Sequence, residues 1–589
     1  MKKRLGLYAT YNKDGILDEY IIYCLREYRK LVDELVVVSN QTLSSDSRKK
    51  LGFVDWIFER FDTGYDVGAF ADTLTRLYGW ERVYQFDEIL FMNDSIFGPL
   101  YPVEPVMQEM ELRDDVDFWG LTKRGRSDFD GGEEIYPAHI QLYFYVVNSR
   151  MLHSREFAEY WENIMHRVTD FRSAIINYEF EFTKYFEERG FKWDVAVKLP
   201  GYDTDYPQRN LSPYHYNCYE LIKSGKYPFI KRKLFTGEFV YSKFSDKSDL
   251  RRAFDYIREQ TDYDENLIWD YILKNYELGS IIKSLCLHEI IISESRANVG
   301  NICRDKYVLL VSEERKEDDP ESLIDAKQRT ITSNMVCSEY YVEKVLDLFE
   351  KNSRLGVLIP PMNMYGGITA SIEKRWCDKK KAESICRKLD LQVPFSMDEA
   401  PVHEIHAAWC RKELLQTMES TGVLNKIDGT VLQALTLVAQ NEGYYTEIVE
   451  STEYLKYQLT SAQTIMKELL NFLEFDKLNN MTLEACETEI MKRKVKAALR
   501  QENELYVYGA GERAFRLISA IKEFADVKGV VVSATEGNPS SVLGYTVKRI
   551  EDLEVEIKNT LIVVTVGINN RNAVEIKLKE LGLINYIFV

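Results

Sequence analysis

The first hundred residues alternate short apolar stretches with stretches of helical spacing, and this alternation restricts the fold more than any other feature of the chain. Residues 5–11 and 34–39 are predicted to be buried strands, with an amphipathic helix at 18–28 between them. Two more strands are predicted at 56–58 and 88–92. Strands that alternate with helices pair in parallel, and ligands gather where their carboxyl ends meet. The sequence therefore predicts an α/β domain with a binding site at that edge.

Several polar side chains follow the predicted strands directly and are expected to share this edge: Tyr11, Asn40, Asp62 and Asp94. Asp94 lies in the triplet Asn93-Asp94-Ser95, which ends an apolar strand abruptly. A carboxylate there could hold Mg²⁺ or Mn²⁺ against a nucleoside diphosphate, and Asp94 is the predicted metal ligand. The same triplet is also typical of a plain turn after a buried strand, so both interpretations stay open.

A second candidate segment runs from Asp62 to Ala69 and combines two acids with two glycines just before a predicted helix. Glycine lets a ligand approach the backbone closely, and a helix start offers N–H donors to phosphate or sugar oxygens. Gly64, Tyr65 and Asp66 are therefore predicted to contact a phosphate or a sugar hydroxyl of the ligand. The alternative is a tight strand-to-helix turn with Asp66 as its N-cap.

Transfer of a sugar to a hydroxyl group needs a general base, and Glu179 is the predicted one. Glu181, Asp117 and His139 are the other candidates. Glu179 is expected in the first turn of a helix that ends near Glu188, where a glutamate can equally serve only to complement the helix dipole.

A compact basic patch, Lys231-Arg232-Lys233, closes the first predicted domain. Lys231 and Arg232 are predicted to bind the diphosphate of the donor. Contact with anionic lipid head groups and a simple solvated charge run are the alternatives.

The chain has 589 residues, which at roughly 100 to 200 residues per domain predicts three or four domains. The predicted fold class is a multidomain α/β protein with boundaries at 1–245, 246–450, 451–502 and 503–589. The second domain repeats the order of the first weakly: residues 87–98 resemble 305–316, and 103–122 resemble 342–361. Asp94 then corresponds to Ser312, so this copy is predicted to be degenerate. Residues 451–502 are predicted to form a helical connector.

The fourth region is predicted to be a small Rossmann-like domain. Gly509, Gly511 and Ala514 form a G-x-G-x-x-A pattern between a strand and a helix, which suggests a second nucleotide site for NAD or another nucleotide. However, the second strand ends in Val532-Ser533-Ala534 without an acidic residue for a ribose. A nucleotide-sugar, regulatory or structural role is therefore favoured over dinucleotide binding.

Charge and cysteine usage restrict the partners. The net charge of −18 argues against a nucleic-acid binder, and the nine cysteines contain no C-x-x-C pair. No apolar run of about 18 residues predicts a membrane span. The expectation is a cytoplasmic protein with reduced thiols, whose membrane contact is peripheral.

These residues together resemble the rhamnan synthesis protein F family, bacterial glycosyltransferases that build rhamnose-containing polysaccharides. The resemblance covers roughly residues 1–450 and is carried by these phrases: Gly64-Tyr65-Asp66-Val67-Gly68-Ala69, Phe91-Met92-Asn93-Asp94-Ser95-Ile96-Phe97-Gly98-Pro99, Asp117-Phe118-Trp119-Gly120-Leu121-Thr122, His139-Ile140-Gln141-Leu142-Tyr143-Phe144, Pro228-Phe229-Ile230-Lys231-Arg232, Tyr263-Asp264-Glu265-Asn266-Leu267-Ile268-Trp269, Leu355-Gly356-Val357-Leu358-Ile359-Pro360-Pro361 and Asp428-Gly429-Thr430.

The resemblance implies a GT-A-like nucleotide-sugar domain, a donor such as dTDP-L-rhamnose, and a polyprenyl-linked glycan acceptor at the inner membrane face. It also places Asp94 at the metal and diphosphate position. A β-linked rhamnosyl nucleotide that yields an α-rhamnoside requires inversion in a single displacement. The family usually has Asn where Asp62 stands, so the donor contacts can differ here. Two other hypotheses are a non-catalytic scaffold with a transferase-like shell and a nucleotide-sugar-modifying enzyme centred on the C-terminal domain, which lacks a Tyr-x-x-x-Lys pair after Gly511.

Overall fold

The computed structural model describes most of the chain. The described residues are 2–61, 64–125, 127–128, 135–168, 170–198, 217–236, 249–291, 304–312, 321–362, 375–419, 422–455, 458, 491–492, 494–496, 498–499, 504–553, 559–566 and 568–589. They fall into two compact units. One contains Met1–Arg232, Tyr241–Tyr263 and Asn479–Val589, and the other contains Lys233–Val240 and Asp264–Leu478.

A seven-stranded sheet forms the centre of the N-terminal region. Its strands are β1 (Arg4–Thr10), β2 (Glu34–Ser39), β3 (Trp56–Glu59), β4 (Glu88–Asn93), β5 (Phe118–Gly120), β6 (Phe144–Asn148) and β7 (Trp193–Val195). They lie in the order β7-β5-β6-β4-β1-β2-β3. Strand β6 is antiparallel to both of its neighbours, while the other pairings are parallel. This mixed α/β arrangement agrees with the GT-A-like domain that the resemblance implies.

Strand β1 is buried along its whole length and β4 along all but its last residue, which explains their apolar sequences. The helices of this region have these bounds: Glu19–Arg29, Ser45–Lys50, Tyr65–Asp72, Trp80–Val83, Glu104–Glu111, Ser149–Leu152, Arg155–Asn163, Phe171–Ala174, Glu181–Glu187, Cys218–Lys223 and Asp249–Gln260. Two π-helical turns, Thr73–Leu77 and Ile175–Phe180, continue helices that precede them, and single 3₁₀ turns occupy Ile164–Arg167 and Arg232–Thr236. The core between sheet and helices is rich in aromatic side chains such as Phe70, Phe91 and Trp161.

A short antiparallel ribbon joins two distant parts of the N-terminal region. Ile96–Phe97 pairs with Ile230–Lys231, so that Lys231 lies opposite Ile96. Gly98, which follows the first strand of the ribbon, has a φ of +130° and packs against the backbone oxygen of Pro228. The ribbon thereby places the basic patch beside the end of β4.

The second unit contains a five-stranded sheet of β8 (His288–Ile291), β9 (Tyr307–Val311), β10 (Leu355–Ile359), β11 (Ala407–Arg411) and β12 (Tyr445–Ser451). Its strand order is β8-β12-β10-β11-β9. Its helices are Asn266–Asn275, Leu278–Ser284, Glu321–Asn334, Glu339–Lys351, Lys379–Leu389, Glu413–Glu419 and Gly429–Asn441, with 3₁₀ turns at Arg304–Lys306 and Val423–Asn425.

Four strands of this sheet repeat an arrangement of the first one. The order β12-β10-β11-β9 has the same strand directions as β7-β5-β6-β4, with one antiparallel strand between two others. No described strand follows β9 at the place that β1, β2 and β3 take beside β4. The weak sequence repeat thus has a counterpart in strand order, and β9, which ends at Val311 next to Ser312, lies at a sheet edge.

The C-terminal region has a six-stranded sheet of β13 (Glu504–Tyr508), β14 (Val527–Val532), β15 (Ser541–Val542), β16 (Tyr545–Arg549), β17 (Thr560–Val564) and β18 (Tyr586–Phe588). The order is β15-β16-β14-β13-β17-β18, and only the β15–β16 pairing is antiparallel. Helices Glu512–Ile521 and Ile568–Glu580 and the 3₁₀ turn Ile550–Asp552 complete it.

The predicted domain boundaries remain predictions. Helix Asp249–Gln260 and the C-terminal sheet belong to the same compact unit as the N-terminal sheet. Most of the predicted connector at 451–502 lies outside the described residues. Across the part of the chain that is described, no helix combines the length and apolar character needed to cross a bilayer.

Candidate functional site

Asp94 is the centre of a polar cluster at the carboxyl edge of the first sheet. Its Oδ2 accepts hydrogen bonds from the Thr10 hydroxyl at 2.8 Å and from the Tyr11 backbone N–H at 3.0 Å. Both donors belong to the end of β1, which pairs with β4. The Arg232 Nη2 donates to Asp94 Oδ1 at 3.2 Å. Asp94 is only 8% exposed, and its carboxylate is therefore held by the end of β1 and by a cation.

The cation reaches Asp94 because of the ribbon described above. The Arg232 backbone N–H donates to the Ser95 carbonyl at 3.1 Å, which extends the pairing of the ribbon by one bond. The Arg232 Nη1 also donates to the Tyr20 hydroxyl at 2.6 Å, and that hydroxyl donates to the Asp94 carbonyl at 3.0 Å. Helix Glu19–Arg29 thus fixes the guanidinium from a third direction.

Lys231 lies beside this pair in a buried environment. Its Nζ donates to Ser95 Oγ at 2.9 Å and lies 3.8 Å from the centre of the Tyr143 ring. Burial lowers the pKa of Lys231 to about 7, although the negative charges of Glu179 and Asp66 oppose that shift. An additional negative charge in the site would therefore favour the protonated form of Lys231.

Asp66 and Asn93 connect the glycine-containing segment to the strand end. Asn93 Nδ2 donates to Asp66 Oδ2 at 2.9 Å, and Asn93 Oδ1 accepts from the Ser95 hydroxyl at 2.6 Å. Burial raises the pKa of Asp66, opposed by the hydrogen bonds from Asn93 and from the Val67 N–H and by the charge of Lys231. The N-cap of this helix is Gly64, so Asp66 lies within the first turn and is not the N-cap.

Gly64, Tyr65 and Asn40 form the wall beside Asp66. Gly64 has a φ of +78°, and a Cβ there would lie 2.4 Å from the Met165 methyl. Asn40 is buried and donates through Nδ2 to the Tyr65 carbonyl at 2.9 Å, while the Arg60 Nη1 donates to Asn40 Oδ1 at 2.6 Å. Asn40 therefore shapes the backbone near the site, and its amide is engaged by protein groups.

Two side chains remain at the surface of this edge: Tyr11 is 48% exposed and Tyr65 is 37% exposed. Exposed aromatic rings close to the cations Lys231 and Arg232 are suited to stack on a base or a sugar. Asp62, the remaining strand-end residue, lies outside the described residues.

Glu179 belongs to the same cluster, but its local structure differs from the prediction. It lies in the π-helical turn Ile175–Phe180, which joins helices Phe171–Ala174 and Glu181–Glu187 into one run. The prediction of a first-turn position is wrong, because the helical run begins eight residues earlier, at Phe171. A helix dipole acts within the terminal turns, so complementing it no longer accounts for Glu179. π-helical turns recur at functional sites.

The other base candidates are engaged elsewhere. Asp117 precedes β5 at the opposite edge of the sheet, where its Oδ2 accepts from Arg150 Nη1 at 2.6 Å and from the Lys192 N–H at 2.8 Å. His139 is fully buried, and burial lowers its pKa to about 4. Glu181 pairs with Lys184 at 3.6 Å on its own helix.

Asp94 does not have the surroundings of a metal ligand. Each of its oxygens already accepts a hydrogen bond, and the group nearest Oδ1 is the Arg232 cation. Magnesium in a nucleotide site is usually bound by one or two carboxylates together with substrate phosphates and waters, so the ion needs a free carboxylate oxygen. Within the described ranges, no group of three or more His, Cys, Asp or Glu side chains is arranged to hold a metal ion. Because the Arg232 cation stands at Oδ1, the described residues do not fit the Mg²⁺ or Mn²⁺ site predicted at Asp94.

The C-terminal glycine pattern lies where the sequence placed it, between β13 and helix Glu512–Ile521. Gly509 has a φ of +110°, and a Cβ there would lie 2.6 Å from Thr565 Oγ1. Close packing of two strand ends thus accounts for this glycine without a ligand. Ala514 is fully buried in the core, and a Cβ on Gly511 would meet no atom of the described residues within 4 Å. Nucleotide binding by this region stays a prediction.

Three residues of the site were not predicted: Thr10, Tyr20 and Tyr143. Thr10 is the last residue of β1 and could have been found from its strand-end position. Tyr20 contacts Arg232, which lies 212 positions further along the chain. Tyr143 contacts Lys231, which lies 88 positions further along. No local sequence pattern reports such contacts.

The sheet and the cluster define an α/β protein that brings two half-buried cations, two carboxylates and exposed aromatic rings together at one edge. The family model of rhamnan synthesis protein F matches residues 35–304. The resemblance found in the sequence is thereby confirmed for that range. It supports a glycosyltransferase-like function in polysaccharide synthesis.

Two relatives match parts of the chain. The uncharacterized protein y4gN of Sinorhizobium fredii (strain NBRC 101917 / NGR234) is 25% identical over 193 residues, which are 32% of this chain and 46% of y4gN. The virulence protein VirA of Vibrio anguillarum (strain ATCC 68554 / 775) is 25% identical over 260 residues, which are 40% of this chain and 79% of VirA. The chain thus spans about half the length of y4gN.

Solved structures match the chain only in part. A putative glucose-1-phosphate thymidylyltransferase from Bacillus anthracis, in complex with sucrose, has a TM-score of 0.22 and 11% identity, and the match covers 33% of this chain and 86% of that one. Core-mannan synthase A from Aspergillus fumigatus, in its Mn/GDP form, has a TM-score of 0.20 and 6% identity, covering 35% of this chain and 77% of that one.

Proposed function

We propose that the N-terminal region transfers a sugar from a nucleoside diphosphate to a polysaccharide precursor. The observation that carries this proposal is the convergence of Lys231, Arg232, Asp66, Asp94 and Glu179 at one sheet edge. The match of residues 35–304 to the family model of rhamnan synthesis protein F supports it. The donor we propose is dTDP-L-rhamnose, and the acceptor is a polyprenyl-linked glycan at the inner face of the membrane, which the protein contacts peripherally from the cytoplasm.

In the proposed reaction the acceptor hydroxyl oxygen attacks the anomeric carbon while the bond from that carbon to the diphosphate oxygen breaks. The electron pair leaves with the diphosphate, and Lys231 and Arg232 stabilise the negative charge that develops there. The Glu179 carboxylate accepts the proton of the hydroxyl group. Attack from the face opposite the leaving group inverts the anomeric configuration, so a β-linked donor yields an α-linked product.

Asp94 has a positioning role in this scheme. Its Oδ2 accepts hydrogen bonds from the end of β1, and its Oδ1 accepts one from the Arg232 guanidinium. The cation is therefore already positioned before the donor binds. Preorganised charge lowers the free energy of the transition state because no reorganisation is needed during the reaction. No step of the proposed reaction passes through a metal ion.

The test is a calorimetric titration of the full chain with dTDP, UDP and NAD, repeated on Asp94→Ala. We expect dTDP to bind and Asp94→Ala to weaken it. Binding of NAD alone would move the function to the C-terminal region, and an absence of nucleotide binding would favour a scaffold.

Glu179→Gln should keep dTDP affinity and lower the rate of sugar transfer by a factor of about 100 to 10,000. Glu181→Gln is the matched control, since Glu181 belongs to the same helical run and pairs with Lys184. Equal activity of the two variants would contradict the assignment of Glu179 as the base.

A further inference from the structure

The polar cluster places two cations where a nucleotide-sugar transferase needs positive charge. Arg232 Nη2 lies 3.2 Å from Asp94 Oδ1, and Lys231 Nζ lies 2.9 Å from Ser95 Oγ, one residue further along. Both cations are carried by the ribbon, which is anchored by backbone hydrogen bonds to the segment after β4. Neither depends on a flexible loop for its position.

These cations occupy the surroundings that a metal ion would need. Asp94 Oδ2 is taken by the Thr10 hydroxyl and the Tyr11 N–H, and Oδ1 faces the guanidinium. Asp66, the other buried acid nearby, accepts hydrogen bonds from Asn93 and Val67 on its two oxygens. A divalent ion at Asp94 would have to displace Arg232 and would face Lys231 as a second like charge.

We propose that Lys231 and Arg232 replace the divalent metal ion, so that this site binds the donor diphosphate and transfers the sugar without Mg²⁺ or Mn²⁺. The inference rests on the proposed function and specifies how its site neutralises the leaving group. Two cations supply the formal charge of one divalent ion, and hydrogen bonds to phosphate from charged donors are roughly twice as strong as neutral ones.

The arrangement of each cation favours this role. The Arg232 guanidinium is held by Asp94 and by the Tyr20 hydroxyl at 2.6 Å, so little side-chain freedom is left to lose on binding. Lys231 lies over the Tyr143 ring at 3.8 Å, an arrangement that stabilises an ammonium ion in a poorly solvated place.

The experiment measures two binding equilibria of the full chain. The first is the dissociation constant of dTDP, and of UDP in parallel, in EDTA and in excess Mn²⁺. The second is the binding of Mn²⁺ alone, followed by the electron paramagnetic resonance signal of the free ion. We expect the nucleotide dissociation constants to agree within about twofold between EDTA and Mn²⁺, and no stoichiometric Mn²⁺ site.

Variants separate the cations from the rest of the basic patch. Lys231→Met and Arg232→Met should each weaken nucleotide binding roughly 10- to 100-fold, the loss expected for one hydrogen bond from a charged group. Lys233→Met removes the same charge from the exposed neighbour and should leave the affinity unchanged.

The outcomes distinguish this inference from the proposed function. Nucleotide binding that EDTA abolishes, with one Mn²⁺ bound per chain, would overturn the inference and leave the transferase intact. Tighter Mn²⁺ binding by Arg232→Met than by the unaltered chain would support it, because Arg232 would then hold the place that a metal ion could take at Asp94. If neither nucleotide binds under any condition, the proposed function fails and the inference falls with it.

Discussion

Gly98→Ala should damage the site without removing any charged or polar side chain. Gly98 follows the first strand of the ribbon and has a φ of +130°, a conformation that is strained for any residue with a Cβ. A Cβ there would lie 2.5 Å from the Pro228 carbonyl oxygen and 2.7 Å from a carbon of the Phe229 ring. The oxygen cannot retreat freely, because it accepts a hydrogen bond from the Leu100 N–H at 2.7 Å.

The cost has two parts. Backbone strain contributes about 1–3 kcal/mol, and overlap with packed atoms contributes about 1–3 kcal/mol more. Gly79→Ala is the matched control, since Gly79 has a φ of +85° but a Cβ there meets no described atom within 4 Å. The two variants share the strain term, so their difference should be the overlap term.

The assay is thermal unfolding of the full chain, together with dTDP titration. For an overlap of about 1–3 kcal/mol, the midpoint of Gly98→Ala should lie roughly 2 to 12 °C below that of Gly79→Ala. Gly98→Ala should also weaken dTDP binding, because the ribbon carries Lys231 and Arg232, whereas Gly79→Ala should not. Equal midpoints and equal affinities for the two variants would refute the claim that the ribbon positions the cations.

Three further predictions concern stability. His139 has a folded-state pKa of about 4 against an ordinary 6.5, so the unfolded chain binds the extra proton between these values. Stability should therefore fall by up to about 3 kcal/mol as the pH drops from 6.5 to 4, and His139→Gln should flatten this slope in pH-dependent melting. Glu88→Ala leaves the buried Arg4 without its main partner and should lower the free energy of unfolding by about 3–5 kcal/mol. Glu111, the other carboxylate paired with Arg4, is 40% exposed, so Glu111→Ala should lower it by less than about 1 kcal/mol. Urea unfolding measures both values. Asn93→Asp places a second carboxylate 2.9 Å from Asp66 Oδ2, so its melting temperature should drop more at pH 8 than at pH 5, and an equal drop at both would contradict the contact.

Much of the candidate site could be predicted from the ends of strands. Tyr11, Asn40 and Asp94 were placed at one edge because parallel strands bring their carboxyl ends together, and the hydrogen bond from the Tyr11 N–H to Asp94 agrees with that placement. The roles of individual residues were harder to predict. Asn40 supports the Tyr65 backbone, and Asp94 holds Arg232. Neighbours, not strand position, decide which polar side chain is available to a ligand.

The position of Glu179 shows a different limit. Local spacing suggested a helix start, but a π-helical turn continues the helix through this region. The adjacent Tyr178 is buried and shares a hydrogen bond of 2.8 Å with Tyr145 on β6. Because packing against the sheet contributes to the register of this turn, propensity along the chain could not predict it.

The sequence by itself determined the alternation of strands and helices, the apolar cores and the match of residues 35–304 to the rhamnan synthesis protein F model, because period, burial and motif order are local properties of a chain. Only the tertiary structure decided what stands beside Asp94. Arg232 and Asp94 are 138 residues apart, and the ribbon that joins them forms by backbone pairing between segments with no common sequence pattern. That pairing places the Arg232 guanidinium where a metal ion was expected. A buried carboxylate needs a partner of opposite charge, and here a side chain of the same chain provides it.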